Sequence, residues 1–299
     1  MNIMPEKRFR GTGVALITPF TREEELDTKA LASLVEWHLE SGTDLIVPAG
    51  TTGEAATLTR SEFADLVGTV VQIVDGQVPV IAGTGTNKTQ DVIEMSQYAE
   101  SLGADGLLVV SPYYNKPTQQ GLYEHYKVVA ESVETPIILY NVPGRTGSNI
   151  NAETTLRLAE IPNIVGIKEA SGDFSQIMHI IKECPDDFTV LSGDDSAAFI
   201  IVALGGDGVI SVAANEMPAE FSRMIRIALE GDFDTARDLN YKLLPLMEAN
   251  FIETNPQPVK AVLAAMGKIE EVYRLPLVPM VDENRAHLLE IARTMGLIE

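Results

Sequence analysis

Short apolar runs alternate along the chain with segments whose apolar residues recur every three to four positions. The runs at 14–17, 45–48, 79–82, 106–110, 137–140, 164–168, 189–192 and 208–212 are four or five residues long and bounded by Gly, Pro or Asp. Runs of that length read as strands buried on both faces. Between them, residues 28–40, 61–74, 89–102, 120–132 and 152–159 carry helix-period patterning. Eight strand-then-helix units predict an α/β fold, a (β/α)8 TIM barrel whose reactive groups collect at the C-terminal ends of its strands. A weak repeat supports the count: Gly42-Thr43-Asp44, Gly103-Ala104-Asp105 and Gly205-Gly206-Asp207 each stand between a helix and a strand. The leading glycine suits the left-handed position just past a helix end. Beyond residue 212 only helical patterns follow, at 218–230, 233–252, 259–266 and 283–295, interrupted by Pro256 and Pro258. The domain reading is a catalytic barrel over 1–225 and a small C-terminal helical domain over 226–299.

Composition narrows the function classes. The chain has 299 residues, 45% of them hydrophobic, enough for a large core. Lys and Arg number 22 against 43 Asp and Glu, a net charge of −21 without a basic run, so nucleic acid and anionic membranes are poor partners. Dispersed acidity of this kind suits solubility or salt adaptation. No apolar run is long enough to span a membrane, and the polar residues before Gly11 lack the apolar core of a secretory signal. One cysteine, Cys184, excludes an internal disulfide, and four scattered histidines make a structural zinc site a poor fit. The expectation is a cytoplasmic protein with no metal.

The stretch 163–173, Asn-Ile-Val-Gly-Ile-Lys-Glu-Ala-Ser-Gly-Asp, ends an apolar strand on Lys168. Strict alternation puts Gly166 and Lys168 on one face and Val165 and Ile167 on the other. A lysine taken out of water loses affinity for its proton, and a neutral amine can attack a carbonyl to give a Schiff base. The alternative is a strand-end lysine that reaches solvent or pairs with Glu169. Other polar residues fall at the same rim: Thr51 and Thr52 after the second strand, Tyr113 and Tyr114 after the fourth, and Tyr140 and Arg145 at the end of the fifth. Neighbouring strands lie about 4.8 Å apart, so Tyr140 and Lys168 can meet, and a phenol beside an amine suits proton transfer. The segment Gly83-Thr84-Gly85-Thr86-Asn87-Lys88-Thr89 fails the spacing of a phosphate loop, and Asp194 and Asp195 repel phosphate where barrels usually hold it.

Taken together, Gly50-Thr51-Thr52-Gly53-Glu54, Pro112-Tyr113-Tyr114-Asn115-Lys116-Pro117, Tyr140-Asn141-Val142-Pro143-Gly144-Arg145-Thr146, Gly166-Ile167-Lys168-Glu169-Ala170, Ser192-Gly193-Asp194-Asp195 and Asn255-Pro256-Gln257-Pro258-Val259-Lys260 resemble the dihydrodipicolinate (4-hydroxy-tetrahydrodipicolinate) synthase family over essentially the whole chain. The resemblance implies a lyase of lysine (diaminopimelate) biosynthesis that condenses pyruvate with L-aspartate 4-semialdehyde without a metal or organic cofactor. It further implies that Lys168 forms the imine and that Thr51, Thr52, Gly193 and Ile210 hold the keto acid. By the same resemblance Tyr140, Thr52 and Tyr114 relay protons, Arg145 grips the semialdehyde carboxylate, and the chain forms a homotetramer, a dimer of dimers, with Tyr114 reaching a neighbour's site. Sister enzymes such as N-acetylneuraminate lyase or keto-deoxy-sugar-acid aldolases share the lysine and tyrosine but typically depart at the second threonine and at Pro-Gly-Arg, both present here. A non-catalytic keto-acid-binding barrel is the alternative from another class. Against feedback-sensitive relatives, Asn87 and Tyr113 are in place and Asp91 is a shorter carboxylate, whereas Ala55, Arg60 and Phe63 replace polar or titratable groups, which implies weak or absent inhibition by lysine.

Overall fold

In a computed structural model, which describes residues 7–299, the alternating pattern folds into eight parallel strands: β1 Gly11–Ala15, β2 Leu45–Val47, β3 Ile81–Gly83, β4 Gly106–Val110, β5 Ile137–Asn141, β6 Ile164–Glu169, β7 Thr189–Ser192 and β8 Gly208–Ser211. They are ordered β2-β1-β8-β7-β6-β5-β4-β3. The open ends of that order meet through a parallel bridge between Ile46 and Val80 and through Gly83 N–H donating to the Pro48 carbonyl at 3.0 Å, so the sheet closes on itself as a TIM barrel. The opening residues of the chain, 1–6, lie outside the described residues.

Eight helices follow the strands of the barrel wall: α1 Thr28–Glu40, α2 Arg60–Val74, α3 Thr89–Ser101, α4 Gln119–Ala130, the short α5 Pro143–Thr146, α6 Ala152–Leu158, α7 Phe174–Glu183 and α8 Asp195–Ala203. After β8 come α9 Pro218–Leu229, α10 Phe233–Ala249, α11 Gln257–Ala265 and α12 Asp282–Thr294. The sequence position 226 falls inside α9, which packs on β1. Capping explains most of the helix starts. Asp27, Thr59, Thr118, Asn151, Asp173, Asp194 and Asp232 each accept a first-turn N–H, which satisfies donors the helix itself leaves free.

The repeated Gly-x-Asp corners behave as their glycines require: Gly42, Gly103 and Gly205 all take positive φ at helix ends. Their aspartates have a role that spacing alone does not disclose. Asp44, Asp105 and Asp207 each accept a backbone N–H from the adjacent strand wall, from Thr12, Val80 and Val190 at 2.8, 2.9 and 2.8 Å. Three like contacts thus tie the strand entrances together at the end of the barrel away from the site.

Two cores result. One lies between strands and helices and includes Val14, Leu107, Leu139, Ile167 and Val190. The other fills the barrel with Phe9, Leu45, Ile81, Leu108, Ile138, Leu191 and Ile210. One expectation is corrected here. The pairing of β5 with β6 shifts register, Ile137 facing Ile164 but Ile138 facing Gly166, so Val165 is the extra residue of a bulge. Val165 therefore packs against the barrel interior instead of joining Ile167 on the helix-facing side. The bulge leaves Lys168 directly opposite Tyr140.

Candidate active site

Lys168, the penultimate residue of β6, has 5% of its surface exposed, and its Nζ lies 4.4 Å from the centroid of the Tyr140 ring, itself 7% exposed. Among the described residues no carboxylate stands within ion-pair distance of Lys168. Its sequence neighbour Glu169 points the other way along the alternation of the strand. It accepts from Asn141 Nδ2 at 3.0 Å, Ser171 N at 2.6 Å and Gln176 Nε2 at 3.1 Å, while burial raises its carboxyl above the usual range. The strand thus separates a carboxylate committed to structure from an ammonium left for a ligand.

Room for the lysine comes from Gly193, just past β7. A Cβ built there would stand 2.7 Å from the Ala170 Cβ and 3.0 and 3.1 Å from Cε and Cγ of Lys168, closer than side chains pack. Gly193 and Lys168 line a cavity of about 110 Å³ with Thr51, Thr52, Tyr140 and Arg145. A space of that size suits a small organic acid. Thr52 is buried at the end of the turn after β2, and its Oγ1 accepts from Asn255 Nδ2 at 2.9 Å. Arg145 sits in α5, exposed to the cavity mouth, with Nη2 donating to the Asn255 carbonyl at 3.5 Å and no carboxylate within 4.0 Å among the described residues. A planar guanidinium in that state can take a carboxylate in two-point fashion.

The two remaining residues stand apart. Ile210 is buried one layer down in the barrel filling, and the cavity wall contributed by β8 and its extension is Val212. Tyr114 has φ 72° and 88% of its surface exposed, and it does not line this cavity. Its neighbour Tyr113 instead lines a second cavity, of about 410 Å³, that adjoins the first along Thr51, Tyr140, Arg145 and Asn255.

The sequence offers no direct signal for a role of Asn255, although the two prolines that follow it, Pro256 and Pro258, flag a segment with fixed geometry. Asp195 reads there only as a repellent charge. The structure buries Asp195, where it accepts from Val212 N at 3.1 Å and Ala213 N at 2.8 Å and so fixes the wall residue Val212. Burial pushes its carboxyl up to about 6. Asp194, beside it, lines the cavity. No helix among the described residues is long and apolar enough to cross a membrane.

The model of the dihydrodipicolinate synthetase family matches residues 8–295. A 4-hydroxy-tetrahydrodipicolinate synthase of Koribacter versatilis is 52% identical over 293 residues, 98% of either chain. Among solved structures, dihydrodipicolinate synthase of Aquifex aeolicus superposes with a TM-score of 0.95 at 48% identity, over 97% of this chain and 99% of that one. The chloride-inhibited dihydrodipicolinate synthase of Acinetobacter baumannii, solved as a complex with pyruvate, gives 0.95 at 46% identity with the same coverages of 97% and 99%.

Proposed function

The chain belongs to the dihydrodipicolinate synthetase family, and from that premise we propose that Lys168 condenses pyruvate with L-aspartate 4-semialdehyde through a Schiff base. The activity is that of a lyase, a 4-hydroxy-tetrahydrodipicolinate synthase of lysine (diaminopimelate) biosynthesis. The observation that carries the site assignment is the buried Lys168 amine, without a carboxylate partner among the described residues, facing the Tyr140 ring.

The chemistry then runs through groups already in place. Nζ of Lys168 attacks the ketone carbon of pyruvate, and a proton delivered through Tyr140 and Thr52 leaves with the hydroxyl as water, forming the imine. Loss of a methyl proton gives an enamine whose carbon bonds to the aldehyde carbon of the semialdehyde as the aldehyde oxygen takes up a proton. The amino group of that substrate then attacks the imine carbon, closes the ring and releases the lysine amine. Arg145 holds the semialdehyde carboxylate, Thr51 and Gly193 line the keto-acid end, and Ile210 supports that end from below.

Tyr114 supplies the third relay hydroxyl to a neighbouring subunit. Its exposure supports that reading, as do the exposed apolar side chains of Met178, Ile200 and Tyr241, which suit the further contacts of a homotetramer. We place the enzyme in the cytoplasm. Borohydride reduction in the presence of pyruvate should leave one reduced pyruvate per chain on Lys168. Label on Lys116 or Lys260, or none, overturns the assignment. Arg145→Ala should impair use of the semialdehyde at least tenfold, about 1.4 kcal/mol, while pyruvate imine formation stays within a factor of two or three. Equal damage to both half-reactions would mean that Arg145 organises the whole rim.

A further inference from the structure

The turn that carries Thr51 and Thr52 into the cavity is bounded by two residues with left-handed backbone, Ala49 at φ 55° and Glu54 at φ 52°. Neither is glycine, so both ends of the turn hold a conformation that an L side chain resists. Between them, Gly53 is pressed against the extension of β1. A Cβ built there would stand 3.0 Å from the Leu16 carbonyl oxygen, and the Gly53 carbonyl accepts from Thr18 Oγ1 at 2.6 Å. A strained turn keeps its shape only where its surroundings over-determine it.

Part of those surroundings comes from outside the barrel. Glu54 Oε1 lies 2.5 Å from Nζ of Lys260, in α11, and Oε2 accepts from the Arg274 backbone N–H at 3.3 Å. Two residues past Thr52, the turn therefore ends on a carboxylate anchored at two points of the C-terminal segment. Both side chains of the ion pair are wholly buried. Taking two charges out of water is expensive, and apolar residues of the same volume would fill the space at least as stably. What apolar residues lack is direction, since a short charged hydrogen bond fixes one atom against another. From this geometry we infer that Glu54 and Lys260 are positioning residues, a buried ion pair through which α11 holds the threonine turn in its strained form against the reaction cavity. The inference rests on the reading that pyruvate meets Lys168 beside this turn, and it concerns both threonines together.

A double-mutant cycle between pair and turn tests it, read as the rate at which borohydride traps pyruvate on Lys168 in a single turnover, with folding followed by urea unfolding. Lys260→Met combined with Glu54→Gln removes the charges without stranding one. This variant should unfold close to the wild-type midpoint yet trap pyruvate at least about tenfold more slowly, because a displacement of about 1 Å at a reacting group can cost about 100-fold. A purely structural pair would leave trapping within about threefold of wild type in the folded variant, and that result overturns the inference. Thr51→Val combined with Thr52→Val should slow trapping as well. Adding the pair substitutions to it should cost less than about threefold more, since a pair that acts through the turn has nothing left to aim. Losses that multiply overturn the inference and leave the reading of the turn intact, whereas wild-type trapping in the threonine variant overturns both. Should the charge-free pair fail to fold, Glu54→Asp takes its place: it keeps both charges but shortens the tether by one methylene. It should trap at least about threefold more slowly while folded, and a wild-type rate there overturns the inference.

Discussion

Glu54 and Lys260, 206 residues apart in the chain, are joined by a 2.5 Å salt bridge with neither side chain exposed. Lys260 also lies 4.5 Å from the Phe20 ring centroid and 5.4 Å from that of Tyr273. The protein thus buries two lysines with opposite consequences. Desolvation lowers the proton affinity of Lys260 and Glu54 restores part of it, which keeps that amine committed to an ion pair. Lys168 has no such partner among the described residues and faces a cavity. Burial alone therefore does not separate the two amines; the ion pair does.

Removing one member of the buried pair should therefore cost far more than removing both. Lys260→Met strands the Glu54 charge and is expected to lower stability by about 3 to 5 kcal/mol. Adding Glu54→Gln, which keeps an acceptor for the Arg274 backbone N–H, should recover most of it. Urea midpoints of the three proteins measure this, and a double variant no more stable than Lys260→Met would contradict it.

Gly193→Ala probes the space around Lys168. The new methyl would press on Ala170 and on the Lys168 stem, so imine formation with pyruvate should slow at least tenfold, with a stability loss of about 1 to 3 kcal/mol from overpacking. Single-turnover trapping within twofold of wild type would show that the lysine stem yields without loss of aim.

Tyr114 gives a test across subunits. Chains carrying Tyr114→Phe and chains carrying Lys168→Arg should each be nearly inactive, the latter because a guanidinium stays protonated and cannot form the imine. Mixed and reassembled, they should recover a fraction of the activity by combining intact halves. No recovery at any ratio would mean that the site is complete within one chain.

Asp195 predicts a pH dependence of stability. Its carboxyl is raised from 3.8 to about 6 by burial, with the Asp194 charge adding to the effect and the N–H donors of Ala213 and Val212 opposing it. The neighbouring buried Glu216 is raised as well. A carboxyl that holds its proton more tightly when folded contributes stability that is fully present below the unfolded value, near 4, and is lost as pH rises through about 6. Two units correspond to about 3 kcal/mol. The stability of wild type relative to Asp195→Asn should fall by roughly that amount between pH 4 and 7 and then level off. A difference that stays flat throughout would mean the carboxyl ionises as readily folded as unfolded.

Inhibition by lysine should be weak. Ala55 and Phe63 line the second cavity and offer no polar partner, while Arg60 is held over the Tyr98 ring at 5.1 Å with Glu94 3.7 Å away. Asp91, the shorter carboxylate, is engaged by Lys88 at 2.5 Å. Each missing charged hydrogen bond is worth about 1.5 to 3 kcal/mol. Initial rates across a lysine titration should give half-inhibition above about 1 mM, a binding energy weaker than about −4.1 kcal/mol, and half-inhibition below that concentration would refute the expectation.

The barrel and its reactive rim were legible in the sequence because both rest on local rules. Strand length, helix period and the Gly-x-Asp corners act within a few residues, and parallel pairing then places every strand end on one side. That is why Thr52, Tyr140, Arg145 and Lys168 could be put at one rim from spacing alone. Even there, strict alternation misplaced Val165, since a bulge is a property of two strands together and leaves little trace in one of them.

Contacts across long sequence separations were decided only by the tertiary structure. Nothing near Lys260 or Glu54 in the chain says that they meet, and nothing near Asn255 says that its amide reaches Thr52. The same holds for the exposure of Tyr114 and for the burial of Asp195 against the β8 extension. Whether a charge is paired, or a hydroxyl has its acceptor filled, depends on which atoms the closed barrel brings within about 3 Å. The sequence by itself determined which polar groups the rim presents; the folding of the C-terminal helices against it decided which of two buried lysines is tied into an ion pair.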